Sequence, residues 1–158
     1  MTDTAAALVA LCTAQNITIA TAESCTGGLI AAAITAIPGS SAVFGYGFVT
    51  YANAAKSDLL GVPENLIATD GAVSKSVAHA MAAGARHRAH TTLAVSVTGI
   101  AGPDGGTPEK PVGTIWFGLA TPTGAIETHH QLVSGDRAAI RAAAVTFALN
   151  LLLGAAKK

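Results

Sequence analysis

The chain has 158 residues, enough for one domain with its own core, and 51% of them are hydrophobic against 11% charged. Nine basic residues balance nine acidic ones, so there is no cationic excess to hold a phosphate backbone, and nucleic acid is not an expected partner. Two cysteines, Cys12 and Cys25, make no disulfide framework, which points to a reducing, cytoplasmic setting. The scarcity of charge suggests self-association, as a homodimer or higher homo-oligomer. No basic region precedes an apolar run near Asp3, so a secretory leader is not expected. Gly27–Ile37, read as the longest uncharged apolar stretch, is too short to span a bilayer, so no membrane partner is expected.

Ala5, Leu8, Val9 and Cys12 recur at i, i+3, i+4 and i+7 and predict an amphipathic first helix, with Cys12 in the core. Ile17–Thr21 reads as a buried strand. The polar cluster Glu23-Ser24-Cys25-Thr26-Gly27-Gly28 follows, and an Ala-rich helix from about Gly27 to Ala36 comes after it. Pro38–Ser41 stops that helix. Phe44–Tyr51 reads as a strand, then Asn53 is placed as N-cap of a short helix, Ala54–Leu60, closed by Gly61. Residues 63–67 suggest one further helical turn and Asp70-Gly71 a turn. Ser74 caps a longer helix with Val77, Ala80, Met81 and Gly84 on one face.

Thr91–Thr98 is a second buried strand, and it runs into the turn-rich loop Gly99–Gly106. Loops of that length in a compact domain are usually functional. Gly113–Ala120 and Ala125–Val133, joined by Pro122-Thr123-Gly124, make a hairpin. Asp136 and its neighbours cap a last helix with Ile140, Ala143, Ala144, Phe147 and Leu151 inward. The alternation of strands and helices predicts a single α/β domain over residues 1–158. Its architecture is a three-layer α/β/α sandwich on a mixed, mostly parallel sheet.

The chemistry concentrates where a strand meets a helix. Ser24 can point its hydroxyl across a helix N-terminus whose free N–H groups, from Cys25 to Gly28, can hold an oxyanion; equally, it can simply cap the helix. Cys25 is the rival nucleophile, with no histidine near it in sequence to generate a thiolate. A serine nucleophile needs a base. With Asn53 as N-cap, Lys56 falls at N3, where the helix dipole lowers a lysine's pKa and suits it to the task; the alternative is a solvated surface lysine. Tyr51 can orient either group or serve the core. Thr98, Gly99 and Gly102 bring a hydroxyl and close backbone to a neighbouring strand end. Arg137 and Arg141, one turn apart at a helix start, repel one another and oppose the dipole, an arrangement that suits an anion between them or a plain surface pair. His87 and His90 read as solvated rather than as metal ligands.

Six motifs occur in order: Thr21–Gly28, Pro38–Ser41, Tyr51–Lys56, Gly71–Ser74, Thr98–Pro103 and Lys110–Thr114. Together they resemble the CinA C-terminal domain family over nearly the whole chain. The resemblance implies hydrolysis of nicotinamide mononucleotide to nicotinic acid mononucleotide and ammonia, with no metal or cofactor. It also implies Ser24 and Lys56 as the catalytic pair, with Tyr51 beside them. Cys25, Thr26, Gly27, Gly28, Thr98, Gly99, Gly102, Arg137 and Arg141 then fall where a nucleotide substrate would bind. Two other expectations stand beside this one: a non-catalytic module binding a nucleotide or a protein partner, and a serine amidase for some other amide.

Overall fold

The computed structural model describes residues 1–158. Its elements run α1 (Thr2–Gln15), β1 (Ile19–Glu23), α2 (Leu29–Thr35), a 3-10 turn (Ser40–Ala42), β2 (Phe44–Val49), α3 (Asn53–Leu60), α4 (Glu64–Asp70), α5 (Lys75–Ala89), β3 (Leu93–Gly99), β4 (Thr114–Ala120), β5 (Ile126–Leu132) and α6 (Arg137–Ala156). The sheet order is β2-β1-β3-β4-β5. β1 pairs in parallel with β2 and β3, while β3–β4 and β4–β5 are antiparallel. The sheet is therefore mixed, as expected, but its pairings divide evenly rather than being mostly parallel. The hairpin supplies one antiparallel pairing, and docking that hairpin on β3 supplies the other.

Helices cover both faces. On one, α1, α2 and α6 enclose the larger core, which includes Leu8, Cys12, Ile30, Val95, Phe117 and Leu149. On the other, α5 packs across the sheet with α3 and α4 at its side, around Ala22, Leu60, Met81 and Ala85. Both faces of β1 and β3 are buried, so neither alternates apolar with exposed polar residues: Thr21, Glu23, Ser96 and Thr98 are as enclosed as their apolar neighbours.

The chain leaves β1 through α2 to reach β2 on one side. It later returns through α3, α4 and α5 to β3 on the other side of β1. The strand order thus reverses around the C-terminal end of β1. In open α/β sheets that reversal opens the crevice where ligands bind.

Two element readings shift in ways that matter. β1 runs to Glu23, two residues past the expected end, because Glu23 still pairs with Val49 and Val97 on its two neighbours. α2 starts at Leu29 rather than Gly27, since Gly27 (φ 60°) and Gly28 (φ 99°) are spent in left-handed turn conformations that only glycine adopts readily. The last helix also differs. Its buried stripe is Ile140, Ala144, Val145, Ala148, Leu149, Leu152 and Ala156, while Ala143, Phe147 and Leu151 lie on its flanks, half-buried. A helix apolar on nearly every side leaves its inward face ambiguous in sequence. α6 is also longer than Gly27–Ile37: by length and composition its 20 residues suffice to cross a membrane. Here one stripe of it packs on the sheet and on α1 instead.

Candidate active site

Glu23 ends β1 with its side chain 1% exposed. Its Oε2 accepts from Thr26 Oγ1 (2.6 Å), Gly28 N (3.0 Å) and Ile30 N (3.0 Å), and its Oε1 from Ala31 N (2.8 Å). One carboxylate therefore satisfies most of the orphan donors of α2 and takes up the positive end of that helix. Its part is to hold the turn.

That bonding revises the expected donor set. Gly28 N–H belongs to Glu23, and Gly27 N–H donates to Ser24 O (3.1 Å). The N–H groups of Cys25 and Thr26 bond no oxygen of the chain. Ser24 itself is the first residue beyond the strand, tied by its N–H to Val97 O (3.0 Å). Its side chain does not cap α2; it turns toward Lys56.

Lys56 is 1% exposed, and its Nζ lies 3.1 Å from Ser24 Oγ, 2.9 Å from Thr50 O and 3.3 Å from Tyr51 O. No carboxylate pairs with it; the two ion pairs of the molecule both fall on Glu127. The cap reading is corrected here. Ala52, extended at φ −75° and ψ 154°, precedes the first helical residue, Asn53, and no side chain caps α3. Lys56 thus sits one position further into the helix than N3. Burial, rather than the helix dipole, pulls its pKa below 10.5. The carbonyls of Thr50 and Tyr51 can only accept, so each takes an N–H of Lys56, and the third polar contact of the amine is left for Ser24 Oγ.

Cys25 lies beside this pair but is chemically muted. Burial raises its thiol to about 11, so it is protonated at neutral pH. Its sulfur packs on Gly99, where an added Cβ would come within 3.2 Å of Sγ. The second thiol, Cys12, is fully buried in the core as expected.

The remaining site residues divide between interior and rim. Tyr51 meets Lys56 only through its carbonyl. Its ring is 59% exposed, and its hydroxyl accepts from Arg137 NH2 (2.9 Å), so the expectation that the phenol orients Ser24 or Lys56 gives way to a pairing with Arg137. Arg137 also donates to Gly102 O (2.8 Å), fastening the 99–106 loop to the start of α6. Thr98 is buried and spends its hydroxyl proton on Ala72 O (2.8 Å). It therefore anchors the 71–74 segment and has no proton to offer a ligand. Lys110 braces the residue just before that segment through Asp70 O (2.7 Å). The two arginines do not bracket one anion. Arg141 turns away from Arg137 and donates to Cys25 O (3.1 Å) and Thr26 O (3.0 Å).

Sequence reasoning missed three parts: the Glu23 cap, the carbonyls of Thr50 and Tyr51, and the anchoring of 71–74. The first had a signal, an acidic residue between a strand and a Gly-Gly helix entrance, where a helix N-terminus attracts negative charge. The other two are backbone contacts that side-chain patterns do not mark.

Residues 1–156 match the family model described as the CinA C-terminal domain. The chain belongs to this family. Over 132 residues it is 60% identical to a protein of Enterobacter agglomerans named nicotinamide-nucleotide amidohydrolase PncC, covering 84% of this chain and 80% of that one. A protein of the same name from Escherichia coli K12 is 53% identical over 139 residues, 88% of this chain and 84% of that one. Among solved structures, a competence/damage inducible protein of Agrobacterium tumefaciens superposes with a TM-score of 0.96 at 44% identity, covering 99% of this chain and 95% of that chain. That structure thus shares both the sheet and the helical layers seen here.

Proposed function

We propose that the protein is a nicotinamide-nucleotide amidohydrolase that releases ammonia from nicotinamide mononucleotide through a Ser24–Lys56 pair. The observation that carries the chemistry is the 3.1 Å approach of a buried lysine, free of any carboxylate, to a serine hydroxyl at a strand–helix turn. The names of the relatives supply the substrate.

Lys56, neutral, accepts the Ser24 proton as Oγ attacks the carboxamide carbon. The C=O electron pair moves onto oxygen, and the N–H groups of Cys25 and Thr26 receive it. One such donor is typically worth about 3 kcal/mol. The substrate's pyridinium ring withdraws electrons and makes that carbon more electrophilic. Collapse of the tetrahedral species breaks the C–N bond, and the Lys56 ammonium gives its proton to the departing ammonia. Lys56 then takes a proton from water, hydroxide attacks the Ser24 ester, and nicotinic acid mononucleotide leaves as Ser24 regains its hydrogen. Arg137, exposed at the rim beside the Tyr51 hydroxyl, retains free guanidinium donors for the 5′-phosphate.

Ammonia release from nicotinamide mononucleotide by the purified protein tests the reading. Turnover with a matching yield of nicotinic acid mononucleotide supports it. Turnover of other amides but not this one would move the protein to the wider class of serine amidases.

A further inference from the structure

We infer that Arg141 is a positioning residue that orients and polarises the oxyanion hole, rather than a ligand of the substrate's phosphate. Along residues 24–31 every backbone N–H has an acceptor within the chain except those of Cys25 and Thr26. Ser24 N goes to Val97 O, Gly27 N to Ser24 O and Leu29 N to Thr26 O; Gly28, Ile30 and Ala31 go to the Glu23 carboxylate. The two spare donors directly follow the candidate nucleophile in sequence.

Arg141 acts on the same short stretch from behind. Its Nε donates to Cys25 O and its NH2 to Thr26 O. In a trans peptide the C=O and N–H point in opposite directions. Gripping Cys25 O therefore sets the direction of the Thr26 N–H, which faces away from the guanidinium. A charged donor on the carbonyl also draws electron density through the amide and strengthens that N–H as a donor. No carboxylate forms an ion pair with Arg141, so its charge is delivered to the turn undiminished by a partner. Arg137, one helical turn earlier, reaches Gly102 O and the Tyr51 hydroxyl instead. The two arginines thus serve separate ends of the reaction.

This inference rests on Ser24 attacking an amide, and the test keeps the two apart. Arg141→Gln, Arg141→Lys and Arg137→Gln are assayed on nicotinamide mononucleotide and on its thioamide analogue, thionicotinamide mononucleotide. Sulfur is larger than oxygen and a weaker acceptor, so a well-aligned hole favours the oxygen substrate. Arg141→Gln is expected to lower kcat by about 30-fold or more, with KM changed less than about threefold and the oxygen-to-sulfur rate ratio reduced; Arg141→Lys recovers part of the loss. A merely structural defect slows both substrates by one factor, and that result overturns the proposal. So does a raised KM with kcat retained, which would make Arg141 a substrate ligand. A second arm does not depend on the nucleotide: the rate at which a fluorophosphonate labels Ser24, where charge also develops on a bound oxygen. Slower labelling of Arg141→Gln by about tenfold or more supports the hole even if wild-type protein releases no ammonia from nicotinamide mononucleotide. Equal labelling rates refute it.

Discussion

Two regions of the site are built on opposite principles. At the end of β1, Ser24, Lys56 and Glu23 are 9%, 1% and 1% exposed, and the side-chain polar atoms of all three are held by named partners. At the rim, Tyr51 and Arg137 are exposed and meet each other through one hydrogen bond, with guanidinium donors left over. Burial is what suits the inner region to the proposed chemistry, because it lowers the pKa of Lys56 and so favours its neutral form. Exposure is what suits the outer region to recognition, since a permanently charged guanidinium pays little desolvation there and can still bind an anion. Substitutions inside should therefore change kcat, and substitutions at the rim should change KM.

The largest expected effect is at Ser24. Ser24→Ala should lower turnover by roughly 10⁴-fold or more while nucleotide binding, measured by calorimetry, persists. Lys56→Met should abolish activity on a similar scale and make the fold more stable, because it removes a buried amine. The pH dependence has a definite sign. Lys56's folded pKa lies below its unfolded value, so the unfolded chain binds more protons between the two. Its contribution to stability therefore rises with pH through that window and levels off above the unfolded value. Chemical denaturation across pH should show this rise in the wild type and its loss in Lys56→Met, and kcat/KM should climb as Lys56 deprotonates. A flat comparison would mean the lysine is not the titrating group.

Smaller effects sharpen the boundary between the regions. Glu23→Gln leaves one of four buried donors facing another donor and should destabilise the fold by about 1–3 kcal/mol in denaturant titration. Arg137→Ala should raise KM by roughly 10-fold or more with kcat nearly unchanged, the scale of one charge-assisted hydrogen bond. Tyr51→Phe, which removes only the acceptor for Arg137, should raise KM by about two- to fivefold. A fall in kcat for Tyr51→Phe as deep as that for Lys56→Met would place the phenol in the interior chemistry and erase the distinction.

Much of this organisation was legible in the sequence. Short, largely apolar runs with β-branched residues marked the buried strands, Asp136 and Ser74 cap α6 and α5 through their side chains as read, and the Gly-Gly entrance marked the turn. What escaped was of two kinds. Where a helix is apolar all round, as α6 is, periodicity cannot choose its face. Where the backbone is the partner, composition is silent: Lys56 is held by the carbonyls of Thr50 and Tyr51, and Arg141 by those of Cys25 and Thr26. The pair of arginines shows the consequence. Their i, i+4 spacing placed them on one helix face, but side chains that long diverge to acceptors that are far apart in sequence.

The proposed chemistry is attack of Ser24, activated by Lys56, on the carboxamide. Its most direct test is acid quenching during turnover of nicotinamide mononucleotide, followed by mass analysis of the peptide that carries Ser24 and Cys25. The expected result is an acyl ester of the nucleotide on Ser24 in the wild type and no adduct in Ser24→Ala. An adduct on Cys25, or ammonia release by Ser24→Ala at the wild-type rate, would contradict it.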